Sequence, residues 1–239
     1  MKAVGYFVTG TDTGVGKTLV ACALLRALAG AGHRTIGMKP VAAGAVRMHD
    51  GLLNDDVAQL RAASTVDADL ALVNPYCFEP AIAPHIAARQ AGVAIDLARV
   101  AAAYRKLAAQ ADVVIVEGAG GLCVPLNAAE DTLDLAAQLN LPLILVVGIR
   151  LGCLNHAILS VRAIDARGLT LAGWIANRID ADMPAARENI ATLEERLGAP
   201  LMAEFPFDAA PDPLKMARQL SFRGTHALPA SGALGAGKI

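Results

Sequence analysis

The run G-T-D-T-G-V-G-K-T at residues 10–18 constrains this chain more than any other feature. An apolar, strand-like stretch at residues 4–9 leads into it, and a helical pattern at residues 17–31 leaves it. Glycines at such a turn let consecutive backbone N–H groups point inward around phosphate oxygens, and the helix start adds its partial positive charge. In that frame Lys17 reaches the β and γ phosphates and Thr18 offers its hydroxyl to Mg²⁺. The usual spacing G-x-x-x-x-G-K-[ST] would set its first glycine at Thr11; here Gly10 stands one residue earlier, so the loop is a variant.

Strand-length apolar runs alternate with longer helical patterns along most of the chain. Strands are expected at residues 4–9, 35–39, 113–117, 143–148, 171–177 and 201–206, with helices at 17–31, 97–110, 156–167 and 185–197. Such alternation predicts an α/β class protein: a single-domain P-loop NTPase fold whose mostly parallel sheet is covered by helices on both faces. Composition agrees, because 55% hydrophobic residues with only 4% aromatics demand a core of Ala, Val, Leu and Ile. One domain is expected over residues 1–220, followed by a flexible tail at 221–239 that is rich in Gly, Ala and Ser. Residues 41–53 and 73–84 break the rhythm, the second through Pro75, Pro80 and Pro84, and loops of this kind usually carry substrate contacts.

A formal net charge of −1 supplies no field for nucleic acid or an anionic membrane. Apolar runs such as 141–147 fall far short of the roughly 20 residues needed to cross a bilayer, and the first residues enter a strand rather than a signal peptide. The expected compartment is the cytoplasm. Cys22, Cys77, Cys123 and Cys153 have no C-x-x-C pairing or nearby His at metal-ligand spacing, which fits free thiols better than structural zinc.

Charged groups at the carboxyl ends of the predicted strands carry the chemistry. The run V-V-I-V-E is a buried strand closing on Glu117, where open α/β sheets bind ligands, and Mg²⁺ takes one or two carboxylates beside phosphate oxygens. Lys39, at the end of the second strand in M-K-P-V, stands at the same edge and can neutralise charge developing on a transferred phosphoryl group. A surface lysine at a strand end would look the same. Asp55 and Asp56 open a short helix, so either can simply favour its N-terminus.

Taken in order, G-T-D-T-x-V-G-K-T, K-P-V, V-N-P-Y, P-H-I, V-E-G-A-G-G, L-G-C-x-N-H and L-A-G-W-x-A-N resemble the dethiobiotin synthetase family over residues 10–206. The resemblance implies an ATP-dependent ligase of biotin synthesis that converts 7,8-diaminononanoate and CO₂ (or bicarbonate), with Mg²⁺, to dethiobiotin, ADP and phosphate. It implies that Thr13, Gly14, Val15, Gly16, Lys17, Thr18 and Leu19 hold the triphosphate, with Gly118, Ala119 and Gly120 beside it. It also implies Thr18, Asp56 and Glu117 as metal ligands, and Lys39 with Lys17 as the catalytic lysines. Asn177, Arg178, Pro206, Phe207 and Asp208 match segments that hold the base, and an Asn amide can pair with adenine's exocyclic amine and ring nitrogen. Substrate contacts are implied for Thr13, Lys39, Ala43, Gly121, Leu151, Gly152 and Asn155.

The chain departs from the family pattern at Gly14, where some relatives carry Glu, and at Ala43, where many carry a Ser that can bond the substrate. Residues 151–156 open a predicted helix whose free N–H groups can bind a carboxylate, or form an ordinary loop capped by Asn155. The family resemblance implies a homodimer with this segment at the interface. Capping or core contacts account for His85 and His156 without a catalytic role. Two rival functions remain. An amidating ligase would normally append a glutaminase domain, for which the chain has no room; a partner-binding switch ATPase would carry a lysine where Asp12 stands.

Overall fold

The computed structural model describes residues 3–49 and 51–222. In chain order the strands are β1 (Val4–Gly10), β2 (Thr35–Met38), β3 (Val41–Ala43), β4 (Val46–Met48), β5 (Gly51–Leu53), β6 (Tyr76–Phe78), β7 (Val113–Glu117), β8 (Leu143–Ile149), β9 (Leu171–Arg178) and β10 (Leu201–Phe205). The helices are α1 (Lys17–Gly30), α2 (Asp55–Ala63), α3 (Leu70–Val73), α4 (Pro84–Gln90), α5 (Leu97–Ala108), α6 (Thr132–Leu139), α7 (Cys153–Ala166), α8 (Ala186–Arg196) and α9 (Pro213–Ala217).

A six-stranded sheet in the order β10-β9-β8-β1-β7-β2 forms the centre, with every neighbouring pair parallel. Because successive side chains on a strand face opposite sides, Tyr6 and Val8 of β1 join Val113 and Ile115 of β7 beneath α1 and α2, while Phe7, Val114 and Val116 turn to the face covered by α5 and α6. Leu145, Val147 and the fully buried Trp174 pack against α7 and α8. Both faces are therefore closed, which is why the strands read as unbroken apolar runs.

Several boundaries differ from the sequence expectation. Residues 41–53 hold the short strands β3, β4 and β5, and residues 73–84 contain β6, which pairs with β3 in a small parallel sheet. The helix expected at 156–167 starts earlier, at Cys153, because Gly152 at φ 94° serves as its N-cap. Helix α6 is absent from the sequence expectation, although Asp131 and Asp134 form a reciprocal capping box ahead of its apolar face. Of the expected tail at 221–239, Ser221 and Phe222 hold to the body: Ser221 N–H donates to the Met202 carbonyl at 2.8 Å and Phe222 packs on the core. The rest of that tail lies outside the described residues. All four cysteines are free thiols.

Candidate nucleotide and phosphoryl-transfer site

The phosphate loop fills the gap between the end of β1 and the start of α1. Its last glycine, Gly16, adopts φ 90°, and a Cβ there would come within 2.3 Å of the Asn177 amide nitrogen. No side chain caps α1 and no acid lies in its first turn, so its leading N–H groups face outward unopposed, as anion binding requires. Lys17 bends back over the loop and donates to the Asp12 carbonyl at 2.8 Å. At Gly14 the chain takes φ 76°, a left-handed conformation that strains any L side chain, although a Cβ added there would find no atom within 4 Å.

Strand register assembles the charges. In β7, Val116 lies opposite Met38 of β2 and Glu117 opposite Val8 of β1, so Lys39, one residue past Met38, emerges beside Glu117 and the loop. The Lys39 ammonium donates to Glu117 Oε1 at 2.6 Å and to Asp56 Oδ2 at 2.8 Å. Thr18 donates its hydroxyl to the same Glu117 oxygen at 2.8 Å. Asp56 comes from the first turn of α2, whose N-cap is Asn54; the Asn54 side chain accepts from Asp56 N–H and donates to the Ala43 carbonyl at 3.2 Å. Helix-start electrostatics and a role in the charge cluster thus coincide in Asp56, while Asp55 is exposed to solvent. Sequence reasoning misses Asn54, although a cap residue directly before two acids is a legible signal.

The two lysines respond to their surroundings in opposite directions. Burial opposes the charge on Lys39, but Glu117 and Asp56 outweigh it and hold its pKa above the ordinary lysine value. Burial and the neighbouring Lys39 charge bring Lys17 down to about 8, against the pull of Glu117, Asp56 and Asp12. Among the described residues Lys17 has only a carbonyl as hydrogen-bond partner, so it lacks the anion that Lys39 already has. For Asp56, burial works against ionisation but Lys39 overrides it and keeps the carboxyl below its usual range.

Glu117 Oε2 is buried without a hydrogen-bond partner. A buried carboxylate oxygen lacking a donor is costly unless something else satisfies it, and a hard cation shared with the Thr18 hydroxyl and Asp56 would do so. Among the described residues no three His, Cys, Asp or Glu side chains converge, so the donor set suits an oxygen-seeking ion with few protein ligands better than zinc. Gly118, Ala119, Gly120 and Gly121 follow Glu117 and run against the phosphate loop: a Cβ on Gly120 would lie 3.6 Å from Thr13 Oγ1, and one on Gly121 3.7 Å from the Gly10 carbonyl.

Away from the phosphates, a cleft of about 320 Å³ opens between the loop and the ends of β9 and β10. Asn177, Arg178, Pro206, Phe207 and Asp208, which the resemblance assigns to the base, line it together with Gly16 and Leu19, which it assigns to the triphosphate. Asn177 is buried and donates to the Val15 carbonyl at 2.9 Å, while Arg178 pairs with Glu204 at 2.6 Å. One wall has no counterpart in the sequence expectation: α9 and its flanks contribute Asp212, Lys215, Met216 and Gln219, and the available signal is Asp212 as N-cap followed by Pro213.

Leu151, Gly152 and Asn155 stand exposed at the start of α7 instead of inside the charge cluster. Asn155 lies within the first turn and is not its cap. The segment is tied to the phosphate loop by an ion pair between Arg150 and Asp12, a link with no sequence signal. His156 is exposed and His85 half-buried, and neither touches the cluster through any hydrogen bond among the described residues.

A loop of this kind between β1 and α1, an acid closing the adjacent parallel strand and a lysine beside it define the P-loop NTPase class. The chain matches the family model described as an AAA domain over residues 4–213. Among solved structures it is similar to the MinD cell division protein of Aquifex aeolicus (TM-score 0.55, 17% identity, 93% of this chain and 87% of that one) and to a ParA family ATPase of Chlorobium tepidum (TM-score 0.52, 15% identity, 93% and 96%), a likeness of fold alone. Much greater similarity links it to the ATP-dependent dethiobiotin synthetase BioD of Aromatoleum aromaticum, 57% identical over 92% of this chain and 97% of the relative, and to that of Nitrosospira multiformis, 52% identical over 91% and 92%. The chain belongs to the dethiobiotin synthetase family.

Proposed function

We propose that this protein is an ATP-dependent dethiobiotin synthetase, converting 7,8-diaminononanoate, CO₂ and ATP to dethiobiotin, ADP and phosphate. The observation that carries the reading is the Lys39 ammonium held between Asp56 and Glu117 beside the phosphate loop, in a chain of this family. One amine of the diamine takes up CO₂ as a carbamate and releases a proton. A carbamate oxygen then attacks the γ phosphorus and ADP departs, leaving a carbamic–phosphoric mixed anhydride. The second amine attacks the anhydride carbon, the ring closes and phosphate leaves.

These steps need positioning and charge neutralisation more than a strong base. The loop N–H groups and Lys17 bind and orient the triphosphate, and Lys39 neutralises charge between the carbamate and the γ phosphoryl group. Thr18, Asp56 and Glu117 would hold Mg²⁺, which when bound offsets phosphate charge as a Lewis acid. Asn177, with the wall of the cleft, would hold adenine. No helix of the described residues is long and apolar enough to cross a membrane, and we place the enzyme in the cytoplasm, as its free thiols suggest. A homodimer is supported by Leu151, 93% exposed, and Leu159, 53% exposed, which present apolar surface on the segment beside the active site.

A partner-binding switch ATPase is disfavoured by Asp12, which pairs with Arg150 where such proteins carry a lysine. Turnover with the diamine, bicarbonate and Mg–ATP, with the product identified by mass, tests the assignment. Dethiobiotin formation and diamine-dependent ADP release are expected; ATP hydrolysis that ignores the diamine but answers to a protein, membrane or DNA partner would overturn it.

A further inference from the structure

Residue 39 sits where the chain leaves the main sheet, and its backbone has lost the partners a strand would supply. β2 ends at Met38, Pro40 has no N–H to give, and β3 then pairs with β6 in a separate small sheet. Both backbone groups of Lys39 are taken up by one short segment instead. Lys39 N–H donates to the Val73 carbonyl at 2.9 Å, and the Lys39 carbonyl accepts from the Asn74 side chain at 2.6 Å. The same Asn74 amide nitrogen donates to the Tyr76 carbonyl at 2.9 Å. Tyr76 N–H returns to the Pro40 carbonyl at 3.2 Å. Asn74 is buried, at 8% exposure.

An NH₂ group that gives its two hydrogens to two buried carbonyls is a job for an amide. A carboxylate of the same shape has no hydrogen to give, and an alanine takes the Asn74 donor away from both carbonyls, of which the Tyr76 carbonyl still has its place in the β3–β6 ladder while the Lys39 carbonyl has left the main sheet. The bond lands on the backbone of the residue whose side chain spans Asp56 and Glu117, so any shift of this carbonyl is passed directly to the ammonium. We propose that Asn74 is a positioning residue for the reaction, fixing the Lys39 backbone so that its ammonium meets the transferring phosphoryl group. This rests on the proposed role of Lys39. Asn74 acts through Lys39 and touches neither substrate nor nucleotide.

A double-mutant cycle tests it, using the full chain and the dethiobiotin assay. Asn74→Ala and the isosteric Asn74→Asp are each made alone and on Lys39→Gln, with circular dichroism and Mg–ATP binding measured for every variant. Each Asn74 change alone is expected to lower kcat ~10- to 100-fold, as a sub-ångström to ångström misplacement of a catalytic group does, with KM for ATP within about threefold of wild type. On Lys39→Gln the same changes should cost less than about twofold further, because the group they position is already gone. Undiminished kcat, a loss confined to KM, or fully additive losses would overturn the proposal; so would failure of both Asn74 variants to fold, which would make Asn74 a requirement of the fold. Wild-type kcat in Lys39→Gln itself would instead overturn the role of Lys39, and the two failures are told apart within one set of measurements.

Discussion

At the ends of β1, β2 and β7 the site is charged and its centre is buried: the side chains of Lys39 and Glu117 are only 6% and 1% exposed, and Thr18 and Asp56 bond to that same pair. At the ends of β9 and β10 the cleft is open, with Phe207 47% exposed, Pro206 and Asp208 on the surface, and Asn177 the one buried polar side chain named from sequence. The contrast matches the proposed roles of the two ends. Charge in a buried site is worth more and reorganises less, which suits the buried Lys39–Glu117 pair to the proposed phosphoryl-transfer end. The end that meets a flat base needs area and a few aimed polar atoms, which an open cleft supplies. Changes at the first end should therefore act on the chemical step, and changes at the second on binding.

Lys17→Ala is expected to give the largest effect, because among the described residues Lys17 bonds a carbonyl and no carboxylate, which leaves its charge for the triphosphate in the proposed role. Mg–ATP binding should weaken by ~100-fold or more and turnover should vanish. Wild-type affinity by calorimetry would refute the assignment of residues 10–18 as the triphosphate loop.

Next in size, Lys39→Gln should keep Mg–ATP binding while losing ~10²- to 10³-fold in kcat. Where a surface lysine at a strand end would look the same in sequence, Lys39 is buried against Glu117. Removing one partner of a buried pair leaves the other uncompensated at ~3 kcal/mol, so the melting midpoint should fall by several degrees although the protein still folds. A variant with unchanged kcat and a raised KM for ATP would reassign the lysine to nucleotide binding.

Asp56→Asn should raise the Mg²⁺ concentration for half-maximal activity by about tenfold, since one anionic oxygen is replaced by a neutral one. Asn54 would still cap α2, so the helix should remain in place. A magnesium titration matching wild type would return Asp56 to a helix-start role alone.

What can be read from the sequence divides along the same line. The loop glycines, Lys17 and Thr18 are legible because each residue type does a job no other does as well, at a spacing fixed by one turn of chain, and Glu117 is legible because it closes an unbroken apolar strand. The Lys39 bridge is not legible: it depends on the register that sets Met38 against Val116 and on a helix 17 residues away delivering Asp56. Asn74 and Arg150 escape for the same reason, since each reaches a distant segment through one side chain. The α9 wall of the cleft at the ends of β9 and β10 escapes for a different one. It is a five-residue helix whose only apolar anchor is Met216, too short to register as a periodic pattern.

The smallest expected effect sharpens the comparison most. Phe207 lies half-exposed on the cleft wall, where its ring can cover one face of a bound base without touching the phosphates. Aromatic stacking of this kind contributes about 0.5–1.5 kcal/mol, so Phe207→Ala should raise KM for ATP roughly 2- to 10-fold. At saturating ATP kcat should stay within about twofold of wild type, because the stacking is the same before and during phosphoryl transfer and binds ground state and transition state alike. Little buried area is lost, so the melting midpoint should hold. Steady-state constants at saturating diamine and bicarbonate, compared with Lys39→Gln under the same conditions, set the two ends of the cleft side by side. A fall in kcat from Phe207→Ala as large as its rise in KM would mean that the base end also shapes the transition state, and the division between a catalytic end and a binding end would have to be given up.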